Sequence, residues 1–434
     1  MTSAPRRVRL GLLGFGTVGQ ALVRLIQKEA PRLSETQGLD LVLTAVGVRG
    51  GESRKAEWVD GGVRFTADLA GVVSSPDVDI VVELLGGLEP AGALVRSALE
   101  AGKSVVTANK LLLARKGVEL ADLAARTGAG LGLEASVAGG IPILRAVRES
   151  FAGDRLRSVT GILNGTCNFI LTEMERTGRA YPEVLAEAQQ LGYAEADPAS
   201  DVEGEDAAYK LTLLSRMAFG RNVSVEEIAR EGITKLLACD FVYARQLGRT
   251  LRQLAVAEET ASGRLILSVR THLVSSRSML AKVEGPFNAV QLRGDSGGEF
   301  VFYGRGAGGA PTATAVLADI VELSRPENGP RVPPLGYARF APSAPAGPEE
   351  FVAPFYLRFV VKDRPGIIAD ISRGLADHAI NIDAVFQAPY GDKSALPFVI
   401  TLEPVSQRQL DGALAGIGRL DFHTERPLAL PMTG

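Results

Sequence analysis

The sequence predicts an α/β protein with three folded parts: an N-terminal doubly wound parallel sheet, a middle α+β part, and a C-terminal βαββαβ unit of ferredoxin-like type. Three observations support this division. Short apolar runs alternate with amphipathic stretches over the first 135 residues, which is typical of a parallel sheet with helices on both faces. Helical stretches followed by longer alternating strands fill the middle. Eight prolines between residues 326 and 354 then precede a new strand and helix pattern.

Composition places the 434-residue chain among globular proteins of two to four domains. Apolar residues make up 46% and charged residues 22%, which excludes a largely disordered chain. The net charge of −3 shows no basic excess, so we expect no nucleic-acid partner. No apolar run reaches the roughly 18 residues of a membrane span. Two cysteines cannot form a disulfide framework, so we expect a cytoplasmic protein.

The first part, residues 1–135, is predicted to form one parallel sheet. Its strands are predicted at residues 8–13, 41–48, 79–85, 104–107 and 130–135. Helices are predicted at residues 20–28, 90–101 and 111–127. A further helix near residues 309–324 follows a glycine cluster, and we expect it to return to this sheet and complete it.

A glycine-rich turn follows the first strand and opens a helix. Gly14, Gly16 and Gly19 match the spacing G-x-G-x-x-G, which serves a tight turn, close backbone approach to a pyrophosphate, and helix–strand packing. The free N–H groups of the helix N-terminus favour phosphate. The pattern predicts a Rossmann-type dinucleotide site; the alternative is a glycine-rich turn without a ligand. The other residues of this predicted cofactor turn are Phe15, Thr17 and Val18.

The second strand indicates which dinucleotide binds. Arg49 follows this strand at a position where an acidic residue would bind the ribose 2′-hydroxyl of NAD. An arginine can instead pair with a 2′-phosphate, and Arg54 and Lys55 lie nearby in sequence. We therefore expect NADP, with NAD as an alternative. A plain surface role for Arg49 is the other interpretation.

The rest of the chain divides at the proline-rich segment. Residues 136–308 are predicted to form an α+β domain with helices on one face of a mixed sheet, and residues 325–353 an extended or loosely packed linker. Residues 354–434 are predicted to form the βαββαβ unit, with its last strand near residues 420–424.

The densest polar cluster runs from Glu195 to Lys210 and includes Asp201 and Asp206. Asp206 and Lys210 are four residues apart on a predicted helix and share a face. One interpretation is a surface salt bridge. Lys210 is flanked by alanines and leucines, however, and a poorly hydrated lysine has a lowered pKa that suits proton transfer. Both interpretations are open on composition alone.

Six motifs in order resemble homoserine dehydrogenase and cover nearly the whole chain. They are Gly-Phe-Gly-Thr-Val-Gly at 14–19, Thr-Ala-Asn-Lys at 107–110, Glu-Ala-Ser-Val-Ala-Gly-Gly-Ile-Pro at 134–142, Asn-Gly-Thr at 164–166, Gly-Tyr-Ala-Glu-Ala-Asp-Pro at 192–198 and Asp-Val-Glu-Gly-Glu-Asp-Ala-Ala-Tyr-Lys at 201–210. The resemblance implies that residues 136–308 form a substrate-binding, catalytic and dimerisation domain. It also implies NAD(P)-dependent interconversion of L-aspartate 4-semialdehyde and L-homoserine, in threonine, methionine and isoleucine biosynthesis.

The resemblance assigns roles to single residues. It implies that Lys210 is the general acid/base and that Asp206 positions the substrate hydroxyl and tunes Lys210. Glu195 is implied to bind the substrate amino group, with Asp201 in support, and Lys110 to lie near nicotinamide and substrate. The remaining implied cofactor contacts are Gly192 and Gly308. A charge at a helix end is the alternative for Lys110.

The same resemblance implies a monovalent cation site, with sodium as the expected ion. Its residues are Glu134, Val137, Gly139 and Ile141. One carboxylate with backbone carbonyls suits such an ion, whereas the three histidines are far apart in sequence and form no transition-metal cluster. A plain turn with Glu134 in a polar contact is the alternative.

The C-terminal unit resembles an ACT domain, a small amino-acid-binding regulatory module. The loop before its first helix is Asp363, Arg364, Pro365 and Gly366. A helix N-terminus kept open by glycine can bind a carboxylate. The implied effector is L-threonine, and the alternative is a module that only dimerises. ACT domains commonly pair side by side, so we expect a homodimer or homotetramer.

Two other functions stay open at this stage. Another NAD(P)-dependent oxidoreductase would need an active cysteine or a histidine–carboxylate pair. Cys167 is the candidate nucleophile, but no histidine is near it in sequence, so we expect a buried structural thiol. A non-catalytic amino-acid sensor could also keep both modules, but it would not need the Asp206 and Lys210 pair.

Overall fold

The N-terminal domain is a parallel sheet covered by helices on both faces, in a computed structural model that describes residues 4–325, 333–387 and 392–434. Strands β1–β6 are Arg6–Leu13, Leu39–Gly47, Arg64–Thr66, Ile80–Glu83, Ser104–Thr107 and Leu131–Gly132. Helices α1–α4 are Thr17–Gln37, Leu69–Ser74, Ala91–Glu100 and Lys110–Thr127. The strand order β3-β2-β1-β4-β5-β6 is that of the doubly wound dinucleotide-binding fold.

The middle domain packs helices on a mixed sheet. Helices α5–α10 are Ile143–Arg145, Gly165–Thr177, Tyr181–Gln190, Ala199–Val202, Glu205–Phe219 and Ala238–Gln246. Strands β7–β13 are Leu156–Ile162, Arg221–Asn222, Ala229–Arg230, Arg249–Glu259, Leu265–Ser275, Phe287–Gly294 and Glu299–Arg305. Helix α11, Gly309–Leu323, returns to the first domain, where Ala313, Val316 and Ile320 share a buried cluster with Leu22 and Val23 of α1.

A buried arginine joins the first two domains. Arg216 of α9 donates hydrogen bonds to the carbonyls of Leu113 and Ala114 in α4, at 3.0 and 2.9 Å, and to Val223 O at 2.9 Å. Burial lowers the pKa of Arg216 to about 10. Because α4 begins at Lys110 and α9 carries Lys210, this contact fixes the two lysine-bearing helices against each other.

The C-terminal domain is the predicted βαββαβ unit. After β14, Ala341–Pro342, its elements are β15, α12, β16, β17, α13 and β18. These span Val352–Val361, Ile367–Ala376, Ile382–Gln387, Leu396–Ser406, Gln407–Ile417 and Leu428–Thr433. The last strand is therefore β18, and the prediction of a strand near residues 420–424 is wrong. Those apolar residues instead anchor a turn, in which Phe422 is buried and His423 makes a single bridge to Val361.

Strand β18 makes the C-terminal and middle domains one sheet. It pairs antiparallel with β15 and, through Met432 and Thr433, parallel with β11. The order is β13-β12-β7-β10-β11-β18-β15-β17-β16. Helices α12 and α13 cover one face of the C-terminal strands. Tyr356 and Val399, from the other face, pack in one core with Phe241 of α10.

Residues 333–346 of the predicted linker lie along the middle domain, whereas Phe351 packs in the C-terminal core and Val352 already begins β15. Strand β14 pairs with β8, and the Leu265 N–H donates to Ala344 O. Leu335 is fully buried. Residues 326–332 lie outside the described residues.

Among the helices that the structure describes, none has the length and apolar character needed to cross a bilayer.

Candidate active site

Two of the three glycines of the turn are required by close packing, and the third faces open space. Gly14 has φ +101°, and a Cβ there would lie 2.6 Å from Leu84 O. A Cβ on Gly19 would lie 2.3 Å from Gly14 O, so the helix can pack on the turn only without a side chain. Gly16 has no neighbouring atom within 4 Å of such a Cβ. The turn is therefore closely packed at Gly14 and Gly19 and open at Gly16, where a pyrophosphate can approach the backbone.

The other turn residues divide between core and ligand-facing positions. Phe15 is buried, 5.0 Å from Phe65 and 6.0 Å from Trp58 between ring centroids, so only its backbone is available to a cofactor. Thr17 and Val18 form the first positions of α1. Their N–H groups precede the first intrahelical donors and can bind an anion.

Gly308 lies beside this turn although it is almost 300 residues away in sequence. It has φ +120° and precedes α11, and a Cβ on the next residue, Gly309, would lie 3.2 Å from Thr17 O. Gly192, also with positive φ, is in an exposed turn after α7. The structure therefore brings Gly308 to the predicted cofactor turn.

Arg49 lies in an exposed turn just after β2. Arg54 is likewise exposed. Lys55 differs, because its Nζ donates to Gly61 O at 3.1 Å and Val63 O at 2.7 Å. Of the three cations near this position, Lys55 is thus committed to its own loop, and the two arginines are the ones that face solvent.

Lys210 and Asp206 form a buried pair on α9. The Lys210 Nζ donates to Asp206 Oδ2 at 2.7 Å and to Leu163 O at 2.7 Å. The side chains are only 9% and 3% exposed, which contradicts the interpretation as a surface salt bridge. An ammonium has three N–H donors. Within the described part of the chain the third has no protein partner and is available to a substrate oxygen.

A second lysine binds the same carboxylate. Lys110, the first residue of α4, forms an ion pair with Asp206 Oδ1 across the domain boundary. Asn109 caps this helix by accepting the Leu112 N–H at 3.0 Å. The fold thus places a lysine from the dinucleotide domain and one from the catalytic domain on the two oxygens of one aspartate.

The two lysines differ in proton affinity. Burial disfavours the charged form of Lys210 and lowers its pKa, although Asp206 opposes this effect. Lys110 also loses hydration, but the neighbouring carboxylates, Asp206 first among them, outweigh that loss and raise its pKa. Burial opposes ionisation of Asp206, yet the two lysines keep its pKa well below the usual range. Lys210 is therefore the lysine suited to proton exchange.

Two residues for which the sequence suggested no role contact the aspartates of the site. Asn164 Nδ2 donates to Asp201 Oδ1 at 2.7 Å and to Asp206 Oδ2 at 2.9 Å. Thr166 Oγ1 donates to Tyr193 O at 2.6 Å and lies 3.2 Å from Asp201 Oδ2. Both belong to the Asn-Gly-Thr motif, so the motif was a signal, but only the fold shows its partners.

Glu195 lies at the exposed rim of this cluster. It follows the Gly192 turn, and its negative charge contributes to the raised pKa of Lys110. Its backbone carbonyl accepts a hydrogen bond from Gln189 Nε2 at 3.1 Å. The structure therefore brings Glu195 within electrostatic range of the lysines, with its carboxylate accessible to a ligand.

No role was predicted from the sequence for another buried carboxylate, Glu83. Glu83, at the carboxyl end of β4, accepts the Leu85 N–H at 2.7 Å and the Thr107 hydroxyl at 2.6 Å. Asn109 in turn donates to Gly87 O at 2.7 Å. These bonds tie the loops after β4 and β5 together just before α4 begins at Lys110. A carboxylate at the carboxyl edge of a parallel sheet is a recognisable signal.

The predicted cation site lies in the segment from β6 to α5. Both carboxylate oxygens of Glu134 accept backbone N–H groups, those of Leu144 at 2.9 Å and Arg145 at 2.7 Å. Burial raises the pKa of Glu134. Among the described residues, the carbonyls of Val137 and Gly139 accept no hydrogen bond, whereas Ile141 O accepts the Ile143 N–H at 2.8 Å. The described residues contain no cluster of three metal-ligating His, Cys, Asp or Glu side chains.

The predicted effector loop opens on a small cavity of its own. Asp363, Arg364 and Gly366 line about 240 Å³ of space together with Gln387 and Phe398. Gly366 has φ +97° and precedes α12, and Pro365 completes the turn. Arg364 is engaged by Asp421, at 3.1 Å from Nη1 to Oδ2. The cavity is thus built around a helix N-terminus.

Cys167 has no nucleophilic role in this arrangement. It is fully buried, and its Sγ lies 3.1 Å from Asp201 O. Burial raises the pKa of the thiol well above its usual value, so the reactive thiolate is suppressed. An aldehyde dehydrogenase mechanism through this cysteine is not favoured.

Family models match all three domains of the chain. Residues 142–321 match homoserine dehydrogenase, residues 14–134 the NAD-binding domain of homoserine dehydrogenase, and residues 355–420 the ACT domain. A homoserine dehydrogenase from Pseudomonas aeruginosa is 40% identical over 422 residues, covering 95% of this chain and 96% of the relative. This chain belongs to the homoserine dehydrogenase family. The predicted family, fold class and oxidoreductase function are confirmed, and the alternatives are not favoured.

Solved homoserine dehydrogenases have the same fold. A crystal structure from Thiobacillus denitrificans has a TM-score of 0.91 at 40% identity and covers 99% of this chain and 98% of its own. A hyperthermophilic archaeal homoserine dehydrogenase in complex with NADPH has a TM-score of 0.64 at 30% identity. It covers 74% of this chain and 98% of its own. The predicted NAD(P)-binding domain is confirmed.

Proposed function

We propose that Lys210 transfers the proton in the reversible reduction of L-aspartate 4-semialdehyde to L-homoserine. The observation that carries the proposal is the pair of lysines on one buried carboxylate, of which only Lys210 has a lowered pKa. A nicotinamide dinucleotide held at the turn from Gly14 to Gly19 would supply the hydride to the carbonyl carbon, or accept it in the reverse direction. Lys210 donates its Nζ proton to the carbonyl oxygen and takes the hydroxyl proton back in the oxidation.

The neighbouring residues bind and orient the substrate. Asp206 positions the reacting hydroxyl and Lys210 together. Lys110 stays positively charged through the reaction because its pKa is raised, and this charge stabilises negative charge on the substrate oxygen. Glu195, with Asp201 in support, binds the substrate ammonium, since a carboxylate at the exposed rim complements that charge.

An absorbance assay at the nicotinamide band tests this function. Purified protein should oxidise NADPH with L-aspartate 4-semialdehyde and reduce NADP with L-homoserine. L-Serine and L-malate, which carry a hydroxyl on a different carbon skeleton, serve as controls and should give little turnover. No turnover of L-homoserine with NADP and none of L-aspartate 4-semialdehyde with NADPH would reject the proposed reaction.

We propose NADP as the preferred cofactor, on the glycine turn and Arg49. The exposed Arg49 guanidinium is placed at the end of β2, where a charge-assisted hydrogen bond to a 2′-phosphate is worth about 1.5–3 kcal/mol. Arg49→Ala should therefore raise the KM for NADP about 10- to 100-fold and leave that for NAD nearly unchanged. Arg126→Ala, at an exposed end of α4, is the matched charge control. Equal changes for both cofactors would remove Arg49 from 2′-phosphate recognition.

We propose sodium at Glu134, Val137, Gly139 and Ile141. The free carbonyls of Val137 and Gly139 support a hard monovalent ion, and each Glu134 oxygen keeps a second lone pair beside its N–H partner. The ion would brace the junction of the two domains. Sodium should raise the unfolding midpoint more than the large tetramethylammonium ion does at equal ionic strength, and identical midpoints would reject the site.

We propose L-threonine as an effector at the loop from Asp363 to Gly366. Its carboxylate suits the N-terminus of α12 and Arg364. Strand β16 is the edge of its sheet, which supports side-by-side pairing of ACT domains in a homodimer or homotetramer. Two free cysteines support a cytoplasmic location.

Binding of L-threonine to the loop from Asp363 to Gly366 should raise the unfolding midpoint, and L-valine should not. No effect of threonine on the midpoint would reject this effector.

A further inference from the structure

Asn164 is a neutral residue that donates hydrogen bonds to both aspartates of the site. It is 4% exposed and lies between β7 and α6. Its Nδ2 donates one hydrogen to Asp201 Oδ1 and the other to Asp206 Oδ2. Its Oδ1 accepts the Cys167 N–H at 2.8 Å and caps α6. Both N–H groups and the oxygen of this amide are thus engaged, with three different partners.

The orientation of this amide follows from its partners. Cys167 N can only donate, so the atom that faces it must be the oxygen. A flipped amide would place that oxygen against two carboxylates and leave the N–H of Cys167 without an acceptor. The NH2 group therefore faces Asp201 and Asp206.

This amide adds a third hydrogen-bonding partner to the Asp206 carboxylate. Its Oδ2 accepts from both Lys210 and Asn164, and its Oδ1 faces Lys110. The groups that act electrostatically on Lys210 come from three elements: Asp206 of its own helix, Lys110 of α4 and Asp201 of α8. Without the amide donor, the negative charges of Asp201 and Asp206 would repel each other, and the half-buried Asp201 would turn away.

We propose that Asn164 is a positioning residue that holds Asp201 and Asp206 in place with its two N–H groups and so fixes the Asp206 oxygen that Lys210 binds. The inference rests on the proposed role of Lys210 in proton transfer. A purely structural role, as the cap of α6, would use only the Oδ1 atom. The two roles therefore reside on different atoms of one side chain and can be separated.

Asn164→Asp separates them. The aspartate keeps an oxygen for the Cys167 N–H and replaces the donor by a further carboxylate oxygen. We expect kcat to fall at least about 10-fold, with unchanged cofactor binding. An added negative charge favours the ammonium of Lys210, so the pH midpoint of homoserine oxidation should rise by about 1 unit. Asn164→Ser, whose hydroxyl can cap but not bridge both aspartates, should lower kcat without that shift.

Ser406→Ala is the matched cap control, since Ser406 caps α13 in the ACT domain, far along the chain from the site. It should lower stability and leave kcat and the pH midpoint unchanged. Wild-type kcat and pH midpoint in both Asn164 variants would overturn the inference and leave Asn164 as a cap only.

A titration without substrate keeps this test independent of the proposed function. Lysine Cε carbons labelled with ¹³C are followed by NMR against pH, and Lys210 is assigned from its loss in Lys210→Met. The Lys210 signal should titrate at higher pH in Asn164→Asp than in the wild type. An unshifted Lys210 titration overturns the positioning role. A shifted titration in a protein that does not turn over homoserine would instead reject the proposed reaction alone.

Discussion

Lys210→Met should lower kcat about 10²- to 10⁴-fold in both directions, because general acid–base catalysis by one positioned group contributes a factor of this size. Methionine fills similar space but carries no proton. Asp206 keeps its ion pair with Lys110 in the variant, so no buried carboxylate is left without a cation. Steady-state kinetics with homoserine and NADP measures the effect, and cofactor binding by fluorescence should be unchanged.

The pH dependence supplies a second test of Lys210. Homoserine oxidation needs the neutral amine, so its rate should rise with pH through the lowered pKa of Lys210. Reduction of the semialdehyde needs the ammonium, so its rate should fall through the same pKa. Lys210→Met should abolish both the rise of the oxidation rate and the fall of the reduction rate with pH.

Lys116→Met is the matched control, because Lys116 lies on the surface of α4 in an ion pair with Glu89. Its kinetics should equal those of the wild type. Near-normal kcat in Lys210→Met with an intact fold would remove the mechanism and leave the family assignment standing.

Arg358→Met should cost about 3–5 kcal/mol of unfolding free energy, since it leaves a buried carboxylate without its cation. Arg358 of β15 pairs with Asp240 of α10, and both side chains are at most 2% exposed. Tyr356 donates to the same carboxylate at 2.7 Å. Urea unfolding of the full chain, monitored by circular dichroism, measures the loss.

The loss should depend on pH in a defined direction. Burial raises the pKa of Asp240 even with Arg358 present, and Arg358 opposes that rise. Without the arginine the raised pKa moves further up. A carboxyl with a raised pKa favours folding in its neutral form, so the deficit should be smallest in acid and grow as pH increases.

Two further variants make the test specific. Asp240→Leu combined with Arg358→Met removes both charges and should recover most of the stability. Arg408→Ala breaks an exposed pair with Glu349 and should cost at most about 1 kcal/mol. A loss in Arg358→Met no larger than in Arg408→Ala would show that the buried pair is not what joins the ACT and catalytic domains.

The local features of this protein could be predicted from its sequence. The glycine turn depends on three positions within six residues, and the structure shows close contacts that exclude a side chain at Gly14 and Gly19 and open space at Gly16. Asp206 and Lys210 share a helix face because they are four residues apart. The loop from Arg364 to Gly366 and helix α12 are likewise adjacent in sequence, so their arrangement is also local. Periodicity and short spacing carry such information, since the interacting groups are neighbours along the chain.

The sequence by itself determined most of the helices and strands and which residue types stand at each turn. Only the tertiary structure decided which of them meet. Lys110 reaches Asp206 because α4 and α9 pack together, and Asn164 separates two aspartates because β7 ends beside α9. The final strand was not predicted correctly, because β18 pairs at once with β15 of its own domain and with β11 of the middle domain, and a local pattern does not show such partners. Such contacts depend on packing between distant segments, for which a linear pattern contains no measure of distance.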